Sequence, residues 1–285
     1  MKIDMKCRAY AIKIIIYFVL CLVTIVFLFP FFFMIMKSFM TQNEAFAQVV
    51  QFFPKQLYWK NYSQLFDIQM LNWLKNTLVI VVFNMVVTPI SSSFIAFGFA
   101  KMRFPFKNVF FTVMMSTVML PGIVLSIPMY VIYTMLGWTN SALPLIVPCI
   151  FGGGALAIFL YVQFMRGISN EIDNAAKIDG AGAFRRYWQI CLPLCKAIII
   201  YQVVGIFMGL WNDYTGPLIY INDPEQYTLG LGIYYRYLTG SEAGIDISAG
   251  PKMASGVVFS IPPALMFFFF QRQLIEGVNI GSVKG

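Results

Sequence analysis

The sequence predicts an all-α polytopic membrane protein with six transmembrane helices, and three observations carry that prediction. Hydrophobic residues make up 59% of the 285-residue chain and charged residues only 11%, whereas a soluble domain has about 25% charged. Mean hydropathy is +0.75. Uncharged apolar runs long enough to cross a bilayer recur along the chain, separated by short polar segments of uneven basic charge.

Lys2, Lys6, Arg8 and Lys13 form a basic head, after which Ile14 to Met36 carry no charge. That run crosses a hydrocarbon core of about 30 Å at about 1.5 Å per residue, with Pro30 a possible kink. It is too long for a signal peptide and lacks a small-residue cleavage site, so it is expected to remain as an anchor. Residues 37–75 form a connector too charged to span. The second span covers 76–100 and is closed by Lys101, Arg103 and Lys107. From Asn108 to Met165 there is no charged residue. A stretch of that length must turn, and Gly137-Trp138-Thr139-Asn140-Ser141 supplies the turn chemistry. Spans three and four therefore fall at 108–134 and 142–166, with Pro121-Gly122 able to break span three. A polar segment at 170–193 precedes span five at 194–214. Residues 223–252 read as a polar loop, and span six covers 253–271. Phe31 to Phe33 and Phe267 to Phe270 read as lipid-facing or packing residues.

With six spans both termini lie on one side, and basic residues choose which. An inside N-terminus places fourteen Lys and Arg in cytoplasmic segments and six outside, namely Lys37, Lys55, Lys60, Lys75, Arg236 and Lys252. The positive-inside rule favours that orientation. The net charge of +8 then reports topology, and nothing reads as a nucleic-acid-binding module.

Several chemistries find no support. The chain has no histidine and five cysteines. No Cys-x-x-Cys pair occurs, and Cys191 and Cys195 are separated by Pro193, so no metal site or disulfide framework is expected. The commonest general base is absent, and the reading is not an enzyme. Gly152-Gly153-Gly154 lacks the Lys and Ser/Thr of a phosphate-binding loop, so no ATP site is expected in this chain. Those glycines read instead as a place where a neighbouring helix approaches closely.

The most informative polar stretch is Asn170 to Pro193. Its charges, Glu171, Asp173, Lys177, Asp179, Arg185 and Arg186, place it at a membrane face. Asn170 is the expected N-cap of a short helix that Gly180 ends. Ala175 and Ala176 are expected on one face with Ile172 and Asp179, a small-residue ridge for close docking. Composition alone leaves open a plain amphipathic helix lying along the headgroups.

The segment resembles the cytoplasmic loop signature of ABC importer permeases, Glu-Ala-Ala, three residues, Gly, nine residues, Ile-x-Leu-Pro. The matching positions are Asn174, Ala175, Ala176, Gly180, Ile190, Leu192 and Pro193, with Asn174 standing where the signature has glutamate and Glu171 and Asp173 keeping acid nearby. The resemblance extends over nearly the whole chain. Trp211-Asn212-Asp213, the entry to span six at 256–263 and the C-terminal end resemble the second permease of the maltose and multiple-sugar class. It implies a type I importer permease (MetI-like) fold with a cytoplasmic coupling helix. The implied division is 1–69 for the first span and connector, 70–276 for the core domain and 277–285 for a cytoplasmic tail. It also implies a heterodimer with a related permease, a cytoplasmic ATPase pair that binds ATP and Mg, an extracellular solute-binding protein and a carbohydrate substrate, in the cell membrane among its lipids. Leu192-Pro193 is suited to start span five.

Polar residues at membrane depth are the candidates for a substrate path. They are Asn84, Thr88, Ser91, Ser92 and Ser93 in span two, Thr112, Ser116 and Thr117 in span three, and Trp211, Asn212 and Asp213 in span five. An aromatic beside an amide and a carboxylate suits a sugar ring. The alternatives are an interfacial aromatic belt for Trp211 and interhelical hydrogen bonding for the serines and threonines.

Overall fold

A computed structural model describes residues 2–47, 49–239 and 249–282. It divides into two compact units, Met1–Asp67 with Tyr235–Ile261, and Ile68–Tyr234 with Pro262–Gly285. Among the described residues four helical stretches are long and apolar enough to cross a membrane, and two bent pairs bring the number to as many as six.

In the first unit, α1 (Lys2–Ser38) is continuous through Pro30. Its apolar side chains from Ile12 to Phe32 lie at the surface, as expected of a helix that faces lipid or another chain. The connector folds back on its end. Asn61 Nδ2 donates to the carbonyls of Ser38 and Met40, each at 2.9 Å, and Ser38 Oγ lies 2.7 Å from Tyr62 OH.

The second unit is built around α2 (Ile68–Lys101), which begins eight residues before the expected span. A helix of 34 residues is about 50 Å long at about 1.5 Å per residue. It therefore overhangs a bilayer core, and Lys75 can sit in the overhang. The third expected span is broken as Pro121 demands. Helix α3 (Lys107–Ser116) gives way to a 3₁₀ turn at Thr117–Met119, Leu120 is extended before the proline, and α4 (Gly122–Met135) leaves at 103°. Gly137 and Asn140 adopt positive φ in the turn that follows.

The fourth span is interrupted rather than continuous. Single turns at Leu143–Ile146 and Val147–Phe151 lead to Gly152, Gly153 and Gly154, all at positive φ, and then to α5 (Ala155–Gly167). A Cβ on Gly153 would overlap Thr88 Cγ2 of α2, so the expected close approach is there. Helix α6 (Asn170–Ile178) follows. Span five departs from expectation: Ala183–Leu194 is bent by 74° from α7 (Lys196–Trp211). Pro193 lies in the short turn before the bend, and the straight part of the span starts at Lys196.

The expected polar loop at 223–252 begins with a buried piece. Leu229, Leu231 and Ile233 have almost no exposure, and Gly232 lies against the Trp73 ring of α2. Backbone groups there are satisfied by α2, Trp73 Nε1 donating to Pro224 O at 2.8 Å and Thr77 Oγ1 accepting from Leu229 N at 2.7 Å. The last helix, α8 (Ala249–Ser282), outruns the expected span at both ends and continues into the expected tail. Helix α2 packs against α5 and α7. The core at their meeting point contains Ala96, Phe97, Tyr161, Met165, Tyr187 and Cys191.

Candidate functional site

The polar segment folds as a capped helix clamped to one end of α2. Ser169, not Asn170, is the N-cap of α6: its Oγ accepts from Glu171 N at 3.1 Å. Asn170 is instead the first helical residue, and its Oδ1 accepts from Lys101 Nζ at 3.2 Å. The C-terminus closes as a Schellman motif, with Gly180 N on Lys177 O at 3.0 Å and Ala181 N on Ala176 O at 2.9 Å. That geometry needs the left-handed φ of +78° at Gly180, which glycine adopts without steric cost.

What orients the helix is an ion pair that sequence reasoning missed. Arg186 Nη1 lies 2.6 Å from Asp173 Oδ1, and the side chain of each is only 7% exposed. Lys177, one turn on and half exposed, takes the other carboxylate oxygen at 2.7 Å. The guanidinium also sits over the Phe97 ring at 5.9 Å and within 3.7 Å of Met102 Sδ, both near the end of α2. Burial alone would raise the Asp173 pKa. The hydrogen bonds from Lys177 and Arg186 outweigh that and hold the carboxyl below its ordinary value. Lys101 Nζ adds a bond to Ile168 O at 2.8 Å. After Arg186 a π-helical turn at Tyr187–Cys191 brings Tyr187 OH within 2.9 Å of Ser93 Oγ and 3.1 Å of Ile90 O. The loop is thus bonded to α2 from both sides.

The clamp corrects the expected docking face. Asp173 and Ala176 are the buried residues of α6, so Ala176 faces its own chain and is not part of a ridge with Ala175. The outward face carries Ile172, Ala175, Ile178 and Asp179, with Glu171 and Asn174 beside them. Ile178 is 86% exposed and, with exposed Ile172, makes this face apolar. Asn174 is exposed and its Oδ1 accepts from Lys177 Nζ at 3.4 Å, and among the described residues no partner calls for a charge at that position. Ile190 and Leu192 are half-buried, Leu192 against the α2–α5 core, and Pro193 is exposed.

Most of the expected substrate-path residues are committed to packing. Asn84 Nδ2 donates to Leu145 O at 3.0 Å, Ser91 Oγ to Cys149 O at 2.7 Å and Ser92 Oγ to Gly152 O at 3.0 Å. They join α2 to the interrupted fourth span, where buried carbonyls around the glycine break require donors. Thr88 is buried beneath Gly153. Ser116 and Thr117 are exposed and bond within their own helical turns, Ser116 to the Thr112 carbonyl. Trp211 is only 2% exposed and stacks on Phe207 at 5.5 Å. It is not presented to a sugar in this conformation. Asn212 is exposed, and Asp213 Oδ1 accepts from Gly216 N at 3.1 Å. Asp213 also lines a gap of about 10 Å³ with Thr77, Leu145 and Pro217, room for about one water. No cluster of metal-ligating residues occurs among the described residues.

The fold and this loop define a class: a multi-pass helical membrane protein whose short polar helix is rigidly held between two spans and presents an apolar face outward. Residues 89–279 match the family described as binding-protein-dependent transport system inner membrane component, and the chain belongs to that family, a transporter permease family. ORF2 of Caldicellulosiruptor sp. (strain Rt8B.4), assigned as an ABC transporter permease protein, is 33% identical over 90% of this chain and 91% of its own length. The galactooligosaccharides transport system permease protein GanQ of Bacillus subtilis (strain 168) is 28% identical over 99% of each chain. The fold is that of a chain in the crystal structure of a bacterial ABC transporter involved in the import of the acidic polysaccharide alginate. The two superpose with a TM-score of 0.79 at 19% identity, covering 92% of this chain and 95% of that one.

Proposed function

We propose that this chain is a permease subunit of an ABC-type carbohydrate importer, forming half of the translocation pathway. In this reading α6 is the coupling helix, and its outward face of Ile172, Ala175 and Ile178 enters a groove on a cytoplasmic ATPase. ATP hydrolysis by that partner moves the groove and carries α6. The observation that supports the reading is the buried Asp173–Arg186 pair. It ties α6 to the segment leading into α7 and to the end of α2, so motion of the helix reaches the spans. The full assembly is a second related permease, a pair of ATPase subunits holding ATP and Mg, an extracellular solute-binding protein and the carbohydrate. Both termini are cytoplasmic.

The carbohydrate assignment draws on the galactooligosaccharide relative and on the lack of Lys or Arg within the uncharged stretch from Asn108 to Met165, which suits a neutral solute better than a phosphorylated one. Purification followed by uptake measurement tests it. An ATPase subunit should co-purify, and cells lacking the chain should lose uptake of one oligosaccharide class. Loss of glycerol phosphate, polyamine or amino-acid uptake with sugar uptake intact would overturn the substrate. Recovery as a stable chain without an ATPase would overturn the importer.

A further inference from the structure

The turn between α2 and α3 gathers positive charge with no carboxylate paired to it among the described residues. Arg103 is exposed, Lys107 half-buried, and Arg166 extends from the last turn of α5 over the Phe111 ring at 5.5 Å. Lys107 opens α3, and Phe111 one turn further on carries Arg166 over its ring, so the two cations flank the same first turn. Like charges are costly to hold together without an anion between them. The other cations at this end of α2 have been provided for: Arg186 and Lys177 by Asp173, Lys101 by Ile168 O and Asn170. For Arg103, Lys107 and Arg166 no carboxylate lies within ion-pair distance among the described residues. Lys107 donates to Met102 O at 3.0 Å, which uses one of its three protons.

The same turn is apolar where it meets the cations. Phe106 takes a left-handed φ of 57°, a conformation that a bulky residue rarely adopts, and its ring is 75% exposed. Arg103, Phe104, Phe106, Lys107 and Asn108 line an open surface groove. Val109 also lines the groove and, with Phe110 and Val113, continues it as an exposed aliphatic and aromatic strip along α3. A cationic groove that continues into an apolar strip on a membrane helix matches a molecule with an anionic head and hydrocarbon tails. A free phosphate would use only the groove, and an acidic protein surface would leave the strip uncovered.

We propose that Arg103, Lys107 and Arg166 bind the phosphate headgroup of an anionic phospholipid whose acyl chains lie along Val109, Phe110 and Val113. Each cation at a membrane surface contributes about a five-fold factor toward an anionic lipid. The experiment is native mass spectrometry of the complex in which the chain purifies. The complex is exchanged into nanodiscs of phosphatidylglycerol and phosphatidylcholine mixed in equal amounts, and lipid retained on this subunit is counted. The unaltered protein should retain phosphatidylglycerol preferentially. R103Q/K107Q/R166Q should lose that preference by at least about ten-fold, while R103K/R166K keeps most of it and K55Q/K60Q leaves it unchanged. V109S/F110S should weaken retention with the cations intact, and inorganic phosphate at millimolar concentration should not displace the lipid. Equal retention of both lipids by the unaltered protein overturns the proposal. So does full retention by the triple glutamine variant, displacement by phosphate alone, or loss of a co-purifying subunit in that variant without loss of lipid.

Discussion

Removing Arg186 isolates what holds α6 in place. Arg186→Met keeps the length and much of the volume of the side chain but deletes its charge. Asp173 then stays 7% exposed with only Lys177, half exposed at 2.7 Å, to compensate. Breaking a buried pair by deleting one partner costs about 3–5 kcal/mol, and the remaining lysine places the expected cost near about 3 kcal/mol. If that cost falls on the docking of α6, the fraction of time the helix is detached rises about 150-fold, since about 1.4 kcal/mol is a factor of ten. Hydrogen exchange reads this directly. Amides of residues 170–179 should lose protection in Arg186→Met, while α2 and α5 keep theirs. Replacing both partners, as D173L/R186M, should recover most of the protection, because a well-packed apolar pair can substitute for a buried ion pair. Unchanged exchange in Arg186→Met, or a double variant worse than the single one, would refute the clamp.

Three further outcomes follow from the same geometry. The depressed Asp173 carboxyl contributes stability that is fully present above its ordinary value of 3.8 and is lost as pH falls through the lower folded value. Protection of α6 should therefore be flat from neutral pH down to mildly acid conditions, and Asp173→Asn should lower it across that whole range. Gly180→Val, forced into φ of +78°, should unravel the Schellman closure and reduce transport per ATP hydrolysed, whereas an unchanged ratio would remove the docking role. Trp211→Ala should lower the detergent melting temperature, since truncating a buried tryptophan costs about 3–5 kcal/mol. An altered KM for sugar with unchanged stability would return Trp211 to the substrate path.

The sequence displayed some of this organisation and hid the rest for identifiable reasons. The break at Pro121 was legible because proline restricts the residue before it, and the glycine run at 152–154 was legible as a close approach. The bend at Cys195 was not, because the segment before it is held on α2 by Tyr187 and Ser93, a contact between residues 94 positions apart. The helix of the polar loop was legible from its signature and from Gly180. Its orientation was not, since Asp173 meets Arg186 only after the chain has turned at Gly180, and no periodicity links the two. That one pairing decides which alanine faces out. For the serines of α2 the sequence left two uses open, a path or interhelical bonding, and the bonds of Ser91 and Ser92 to the Cys149 and Gly152 carbonyls show the second in use.

The account rests on α6 presenting one face to a cytoplasmic partner, and paired cysteine labelling tests it most directly. In a variant with Cys7 and Cys21 replaced by serine, a cysteine at Ala175 should react with a membrane-impermeant maleimide in inside-out vesicles of the complex stripped of its ATPase. It should become protected when the ATPase is added back. A cysteine at Ala176, buried against its own chain, should stay unreactive throughout. Full reaction at Ala175 in the assembled complex, or reaction from the outer face of intact cells, would contradict it.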